Sequence, residues 1–345
     1  MEFAPRCLAT AVGSMPHKDP QETVDLVLRH LPVIPDWPQL PRRSFRENMY
    51  VQYGERFPGL VVDMDREKVL VDRARADAEL EGLYLAYLED QVEEWGISAE
   101  YAAGLHVFLG QKGSFVGSLA VKGQVTGPIS MGLQVTDRDL RPILYDEILA
   151  DALAKHLRLK ATWMERQLRR LRDTAIVFVD EPYLSTFGSA FISLSREQVI
   201  AALEEVFAGL TCLKGVHCCG NTDWSVLLET SVQILNVDAY NYAESLSLYP
   251  EAVRSFLQRG GIVAWGIVPQ DEVGIAAATV EGLVERLEEA WGLLTAKGIA
   301  LDDIIPAALI TPSCGLGSVS PQMAVRALEL TAAVSESVRE KYGVE

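Results

Sequence analysis

The 345-residue sequence lacks an apolar run long enough to cross a bilayer, so no membrane is expected as a partner. Basic residues are in deficit, because 31 lysines and arginines face 48 aspartates and glutamates, for a formal net charge of −17. A surface this acidic repels phosphate backbones, so nucleic acid is not expected as a partner either. The segment up to Pro16 lacks a basic stretch followed by an apolar one, so we expect no signal peptide and a cytoplasmic protein.

Cysteine and histidine are scarce as well, with five of each. An odd number of cysteines in a cytosolic chain argues against a disulfide framework. The remaining uses of cysteine are metal binding, catalysis and packing in the core. Because both residue types are rare, the run His217, Cys218 and Cys219 is conspicuous.

Low-complexity segments, short repeats and flexible linkers are also absent, so we expect one domain over residues 1–345. From about Ser118 onward, short apolar runs alternate with amphipathic helical patterns, which is typical of βα units on a parallel sheet. Strands are predicted at residues 8–13, 31–40, 119–125, 175–179, 215–219, 232–238, 262–267 and 307–311. Helices are predicted at residues 67–91, 146–172, 196–210, 250–259, 279–297 and 321–342.

Eight strands with helices between them predict an α/β fold of the (β/α)₈ or TIM barrel type rather than an open sheet. The second strand is the weakest, because prolines crowd it. The region 19–117 is too long for two plain units, so we expect inserted helices or loops in the N-terminal third, over one barrel end. Ser195 and Ser320 are plausible helix N-caps.

Reactive side chains cluster where the predicted strands end, and in such a barrel those carboxyl ends form the active-site face. His217 and Cys219 are two residues apart, so they point the same way along the fifth strand, while Cys218 points toward the helices. Cys314 follows the eighth strand. An imidazole with two thiolates suits Zn²⁺, and three protein ligands with one open position make a catalytic site. The alternative is that the cysteines are small buried hydrophobes.

Oxygen-bearing side chains occupy other strand ends. Asp238 is the best candidate for an oxygen ligand and Glu244 the next, although Asp238 could equally be a helix N-cap or a solvated loop carboxylate. Asp180 could hold an ammonium group by charge-assisted hydrogen bonds, or could be a turn residue. Ser14 could bind through its hydroxyl, although Gly-Ser is also ordinary turn chemistry.

Five short motifs occur in order at these strand ends, and together they resemble a known family. They are Gly13-Ser14-Met15-Pro16, Val125-Thr126-Gly127-Pro128, Asp180-Glu181-Pro182, His217-x-Cys219 and Cys314-Gly315-Leu316. This set is similar to the catalytic, C-terminal zinc barrel of cobalamin-independent methionine synthase, within the superfamily of uroporphyrinogen decarboxylase and methionine synthase-like barrels.

The resemblance implies a methyltransferase that passes a methyl group to the thiol of homocysteine and gives methionine. It implies Zn²⁺ held by His217, Cys219, Cys314 and a carboxylate, for which the nearest match is Asp238, one methylene shorter than the family's glutamate. It implies no catalytic side chain beyond the zinc-bound substrate thiolate.

The same resemblance places the amino-acid part of the substrate on Asp180, for the ammonium group, and on Ser14. The family's second substrate carboxylate falls within Tyr50-Val51-Gln52-Tyr53, where Gln52 is the nearest match. This contact is therefore altered to Gln52 or moved to Glu47.

Three departures from the family concern the methyl donor. The sequence shows neither the family's N-terminal barrel nor its Gln-Ser-Tyr-Gly-Ser-Arg stretch. The seventh strand reads Trp265-Gly266-Ile267-Val268, without the histidine that serves proton transfer to the folate leaving group in the family. We therefore expect a methylated corrinoid protein or methylcobalamin as the donor, rather than methyl-folate.

A second resemblance leaves the acceptor open. The stretch from His217 to Thr222, His-Cys-Cys-Gly-Asn-Thr, is similar to the His-x-Cys-Gly-Asn stretch of corrinoid-dependent thiol methyltransferases, which also use zinc. The alternatives are methyl transfer to another thiol, decarboxylation of a tetrapyrrole, and a non-catalytic zinc or corrinoid-binding module. Decarboxylation needs no zinc, so the cysteines argue against it.

Overall fold

The protein is described by a computed structural model that covers residues 3–189 and 192–344. Its strands are β1 (Leu8–Ala9), β2 (Leu60–Asp63), β3 (Lys68–Val71), β4 (Val121–Thr126), β5 (Thr136–Asp137), β6 (Ala175–Asp180), β7 (Leu213–Cys218), β8 (Ile234–Val237), β9 (Ile262–Val268) and β10 (Ala308–Pro312). Seven of them form one parallel sheet in the order β1-β10-β9-β8-β7-β6-β4. Every predicted strand except the second has a counterpart in this sheet, although β1 has only two residues.

The helices cover the sheet and connect its strands. They are α1 (Pro20–His30), α2 (Met49–Gln52), α3 (Arg73–Leu88), α4 (Ala103–Gly110), α5 (Pro128–Gln134), α6 (Glu147–Leu168), α7 (Arg196–Phe207), α8 (Trp224–Leu228), α9 (Ala239–Tyr242), α10 (Pro250–Gln258), α11 (Glu272–Ala277), α12 (Val280–Thr295), α13 (Leu301–Ile304) and α14 (Pro321–Tyr342). Five of the six predicted helices are confirmed to within a few residues, as α6, α7, α10, α12 and α14. Within the described residues, no helix is both long and apolar enough to span a bilayer.

The predicted second strand is wrong, and an irregular segment takes its place. Residues 33–39 lie between the two edge strands of the sheet. The backbone N–H of Trp37 donates to the carbonyl of Lys122 in β4 at 3.2 Å, and that of Gln39 donates to Gly13 beyond β1 at 3.0 Å. The sheet is therefore compatible with a TIM-like barrel, but continuous strand pairing does not close it.

Proline explains why this segment is not a strand. Prolines at positions 32, 35, 38 and 41 have no backbone N–H group, so a regular hydrogen-bond ladder cannot form along the segment. Only single bridges remain, between Asp36 and Lys122 and between Ser14 and Gln39. One side-chain hydrogen bond also holds the segment against the edge of the sheet, because Thr10 Oγ1 donates to the carbonyl of Ile34 at 2.9 Å.

The predicted helix over 67–91 begins too early. Residues Lys68–Val71 form β3, which pairs antiparallel with β2 and parallel with β5 in a small separate sheet. The sequence Lys-Val-Leu-Val favours a strand, because its β-branched residues pack well on a pleated surface. The helix starts only at Arg73, after the N-cap Asp72. The expected insertion in the N-terminal third is thus present as β2 and β3 together with α2, α3 and α4, while β5 adds the third strand of the small sheet from beyond that region.

The two predicted N-caps differ. Ser195 forms a capping box with Gln198, because its Oγ accepts from the Gln198 N–H while the Gln198 side chain accepts from the Ser195 N–H. Ser320 precedes α14 in an extended conformation, but its side chain makes no capping hydrogen bond.

Alternation along the strands sorts side chains between the two faces of the sheet. A small apolar cluster, separate from the main core, contains Ile176 and Phe178 of β6 and Ile234 of β8. Since side chains alternate, Asp180 and Asn236 continue the same inner row toward the carboxyl ends. His217 is in register with both, so it faces inward too.

Candidate metal centre and substrate cavity

Three of the four predicted ligands meet at the carboxyl end of the sheet. His217 lies in β7, Cys219 directly follows that strand, and Cys314 lies two residues after β10. Their ligand atoms, one imidazole nitrogen and two sulfurs, all lie within 4.8 Å of one another. A zinc ion with bonds of about 2.0–2.3 Å holds its ligands within such a separation.

The imidazole of His217 has one nitrogen engaged and one without a partner. The ring is buried, and its Nδ1 lies 2.6 Å from Oδ1 of Asn236. The other nitrogen, Nε2, is buried and has no hydrogen-bond partner. Buried polar atoms are rarely left unsatisfied, and a metal ion would satisfy this one. The donor set therefore fits Zn²⁺ in chemistry as well as in spacing.

The two ligand cysteines titrate as a pair. A hydrogen bond from the Cys314 thiol, helped by the neighbouring His217, lowers the pKa of Cys219. The same hydrogen bond and burial raise the pKa of Cys314. Burial acts to lower the pKa of His217, but the neighbouring Cys219 and the charge of Asp180 raise it overall. The arrangement thus stabilises a thiolate, the form in which cysteine binds metal.

Cys218 lies between the ligands in sequence but outside the site. It is fully buried, and its thiol donates to the carbonyl of Gly220 at 3.6 Å. Burial raises its pKa to about 12, so it stays a thiol. Its place in the main core agrees with the expectation that Cys218 points toward the helices.

A cavity of about 350 Å³ adjoins the three ligands. Its wall includes His217, Cys219 and Cys314 together with three predicted substrate-binding residues, Ser14, Glu47 and Asp180. A larger cavity of about 890 Å³ lies near the start of β1, between α1 and α14, and contains none of the predicted site residues.

Two carboxylates in this cavity each have an oxygen without a partner. Asp180 is buried and its Oδ1 is unpaired, while burial raises its pKa to about 6 against the influence of His217 and Lys122. Glu47 is buried, with Oε1 paired to Arg43 at 2.6 Å and Oε2 unpaired. Burial also raises the pKa of Glu47. Both groups would gain from a cationic ligand in the cavity.

Ser14 lies where the loops after β1 and β10 interlock. Its Oγ accepts from the N–H of Gly317 at 3.3 Å, and its carbonyl accepts from Leu316 at 2.8 Å. A Cβ at Gly315 would lie 2.1 Å from Ser14 Oγ, so glycine is required for this close approach. Because the hydroxyl is used here as an acceptor, its own proton is left to donate to a ligand.

Gln52 is the predicted substrate contact that the structure places elsewhere. Its Oε1 accepts from Gln39 at 3.0 Å and its Nε2 donates to the carbonyl of Tyr101 at 2.6 Å. Both ends of the amide are therefore engaged, and Gln52 does not line the cavity. Of the two alternatives, Glu47 is the one that reaches it.

Asp238 lies outside the group of three ligands. It is the N-cap of α9, where Oδ1 accepts from the Asn241 N–H at 2.9 Å and Oδ2 accepts from Asn241 Nδ2 at 2.8 Å. Glu244, the alternative oxygen ligand, is exposed and also lies outside the group. The structure thus supplies three close ligands from the described residues.

Sequence reasoning missed several residues of the cavity wall. Asn48 and Met49 come from the inserted region, where no periodic pattern marks them. Gln270 lies two residues after β9, so the rule that strand ends build the site could have found it. Gln39 comes from the irregular segment.

Glu181 also has a role that the sequence did not reveal. Its carboxylate accepts from the backbone N–H groups of Ile129 at 2.9 Å and Ser130 at 2.7 Å, at the start of α5. A Cβ at Gly127 would lie 2.1 Å from the Glu181 carboxyl carbon, so this approach requires glycine there. Glu181 thus locks the loop after β4 against the loop after β6, beside Asp180.

Fold and site together describe an α/β protein whose curled parallel sheet carries an imidazole–dithiol group at its carboxyl edge. No protein-family model matches the sequence, and no curated protein matches it at a significant level.

Solved structures do match. A B12-independent methionine synthase from Shewanella sp. W3-18-1, in complex with selenomethionine, superposes with a TM-score of 0.62 and 17% identity over 98% of this chain and 99% of that chain. A methyltransferase from Methanosarcina mazei superposes with a TM-score of 0.59 and 12% identity over 97% of this chain and 94% of that chain. At these identities the likeness establishes a shared fold.

The position of Asp238 can be tested by Asp238→Ser, because serine is also a good N-cap but carries no carboxylate. Since both oxygens of Asp238 already bind Asn241, we expect the variant to keep the metal content of the native protein. Metal content is measured by elemental analysis after dialysis. A loss as large as that of a ligand cysteine variant would show instead that Asp238 binds the ion.

Proposed function

We propose that the protein is a zinc-dependent methyltransferase that methylates the thiol of homocysteine, with a methyl-corrinoid as the donor. The observation that carries the proposal is the placement of His217, Cys219 and Cys314 within 4.8 Å of one another, beside a cavity with two unpaired carboxylate oxygens. The three metal ligands suit a substrate with a thiol, and the unpaired carboxylate oxygens suit one with an ammonium group.

His217, Cys219 and Cys314 would hold the ion, with Asp238 as a further ligand only if it leaves Asn241. Three protein ligands leave one coordination position open, as in catalytic zinc sites. When bound, zinc supplies Lewis acidity that deprotonates a substrate thiol at neutral pH, where a free thiol is mostly protonated.

The charge of the cavity indicates an aminothiol. Asp180 and Glu47 are the charged side chains of the wall, apart from the metal ligands, and no lysine or arginine is among the described residues that line it. A thiol with a sulfonate or phosphate group would meet repulsion there, whereas an ammonium group would pair with both carboxylates. The free hydroxyl proton of Ser14 suits the carboxylate of the same amino acid.

Homocysteine carries a thiol, an ammonium group and a carboxylate, which are the three groups that this site would bind. The similar methionine synthase from Shewanella was solved with selenomethionine, an amino acid with an ammonium group and a methylated chalcogen. The side chains of this cavity would fix both ends of such a molecule, which orients the sulfur for in-line attack. In the transfer, a sulfur–carbon bond forms while the bond from the methyl carbon to the donor breaks, and that electron pair leaves with the donor.

The choice of donor depends on whether its leaving group needs a proton. β9, from Ile262 to Val268, has no histidine, and His217 is the one histidine among the described residues of the cavity wall. His17 is buried but does not line the cavity. A folate leaving group must be protonated, whereas a cob(I)alamin leaving group need not be. The available side chains therefore favour a corrinoid donor.

Metal content gives the first test of this function. We expect about one zinc per chain, and loss of both metal and activity in Cys219→Ser and Cys314→Ser, because each removes a thiolate ligand. Cys218→Ser is the matched control and should keep both, since its thiol is packed in the main core and donates to the Gly220 carbonyl, away from the ligand group. Full metal content in Cys314→Ser, measured by elemental analysis, would rule out the ligand set.

Binding of the substrate's ammonium group by Asp180 gives the second test. Asp180→Asn should lower kcat/KM for homocysteine by roughly 10- to 150-fold, which corresponds to about 1.5–3 kcal/mol for a hydrogen bond to a charged group. Zinc content should stay unchanged. Asp302→Asn, at an exposed position on α13, is the control and should leave the kinetics as they are. Native kinetics in Asp180→Asn would show that Asp180 is a turn residue and does not bind the substrate.

The donor gives the third test. Purified protein is offered homocysteine with methyl-tetrahydrofolate, its polyglutamate, methylcobalamin or a methylated corrinoid protein, and methionine is measured. We expect turnover with the corrinoids and little with the folates, because a positioned acid typically contributes a factor of about 10²–10⁴. Equal rates with methyl-folate would defeat the corrinoid assignment.

A further inference from the structure

A chain of hydrogen bonds crosses the inner side of the sheet behind the candidate metal centre. His217 Nδ1 lies 2.6 Å from Oδ1 of Asn236, and Nδ2 of Asn236 donates to Thr311 Oγ1 at 2.8 Å and to the carbonyl of Ala264 at 2.9 Å. Asn236 is fully buried, and His217 and Thr311 are nearly so. Four neighbouring strands, from β7 to β10, are thus joined through one amide side chain.

The orientation of the Asn236 amide follows from its partners. The carbonyl of Ala264 can only accept, so the NH₂ group of Asn236 must face β9. The amide oxygen therefore faces His217, and an amide oxygen can only accept as well. In the neutral imidazole, the form that binds a metal, the proton must therefore lie on Nδ1, and Nε2 is left with its lone pair.

Nε2 is also the ring atom that is buried without a partner, so it is the nitrogen that His217 can offer to the ligand group. We propose that Asn236 is a positioning residue, which fixes the His217 tautomer and ring orientation that a metal ion requires and, through Thr311, ties that ring to the strand that precedes Cys314. The inference rests on the proposed metal centre, not on the identity of the substrate or donor.

Thr311 has a distinct part in this arrangement. It lies in β10, three residues before Cys314, whereas His217 and Cys219 belong to β7 and its end. The ligands therefore come from strands that are not neighbours, and β8 and β9 lie between them. The bridge from His217 through Asn236 to Thr311 spans that distance with rigid, buried groups and so helps to set the spacing of the ligand atoms.

The test is zinc affinity, measured by competition with a chelating indicator and without any methyl transfer. Asn236→Leu should bind zinc roughly 10- to 100-fold more weakly, the usual effect of removing the outer partner of a ligating histidine. Asn236→Asp should recover most of that loss, because its carboxylate still accepts from Nδ1. A purely structural role predicts no such recovery, since aspartate also loses the donation to Ala264.

A matched pair of threonines separates positioning from general stability. Thr311→Val should also weaken zinc binding, but to a smaller extent than Asn236→Leu does. Thr331→Val, which removes an equally buried hydroxyl that donates to Ala327 within α14, should lower thermal stability but leave zinc affinity native. This pair also keeps the inference testable if Asn236→Leu does not fold.

The outcomes distinguish this inference from the proposed function. Native zinc affinity in both Asn236→Leu and Thr311→Val would overturn the positioning role while leaving the metal centre intact. Absence of zinc binding by the native protein would overturn both. The visible absorption of the Co²⁺-substituted protein is a second readout, and it should change in Asn236→Leu but not in Thr331→Val.

Discussion

The alternation of side chains along parallel, in-register strands decides which residues meet at the inner side of this sheet. Asp180, His217 and Asn236 are direct neighbours across β6, β7 and β8, so all three must point to the same side. The apolar residues earlier in the same rows fill the interior below them. One geometric rule therefore places an imidazole, its hydrogen-bond partner and a carboxylate at one level, and the loops beyond the strands add the two thiols.

That placement concentrates negative charge in a poorly solvated site. Asp180 and Glu47 each bury a carboxyl oxygen without a partner, and the pKa of Cys219 is lowered toward the thiolate. Burying such groups is costly unless positive charge compensates them. A metal ion at the sulfurs and an ammonium group at the carboxylates would supply that charge. The unpaired atoms thus support the proposed function, in which both partners of the site are cationic.

The sequence was informative where a residue's position on a strand decides its role. His217, Cys219, Cys314, Asp180 and Ser14 follow strand ends, and the structure brings all five to one cavity. The sequence was uninformative where tertiary hydrogen bonds decide which role a side chain takes.

An aspartate after a strand can bind a metal or cap a helix, and Asp238 caps α9 because Asn241 lies within reach. Likewise, the sequence leaves Gln52 and Glu47 as equivalent candidates. In the structure, hydrogen bonds with Gln39 and Tyr101 engage both ends of the Gln52 amide. The apolar residues at 31–40 predict a strand, but the prolines among them prevent a regular hydrogen-bond ladder, and the segment is irregular.

The central claim is that a zinc ion held by His217, Cys219 and Cys314 would keep a coordination position open for the sulfur of the substrate. Zinc K-edge X-ray absorption of the zinc-loaded protein, recorded with and without homocysteine, tests it directly. The account predicts that the two sulfurs supplied by the protein are joined by a third when homocysteine is added. An unchanged sulfur shell at saturating homocysteine would show that the zinc is structural, and would contradict the account.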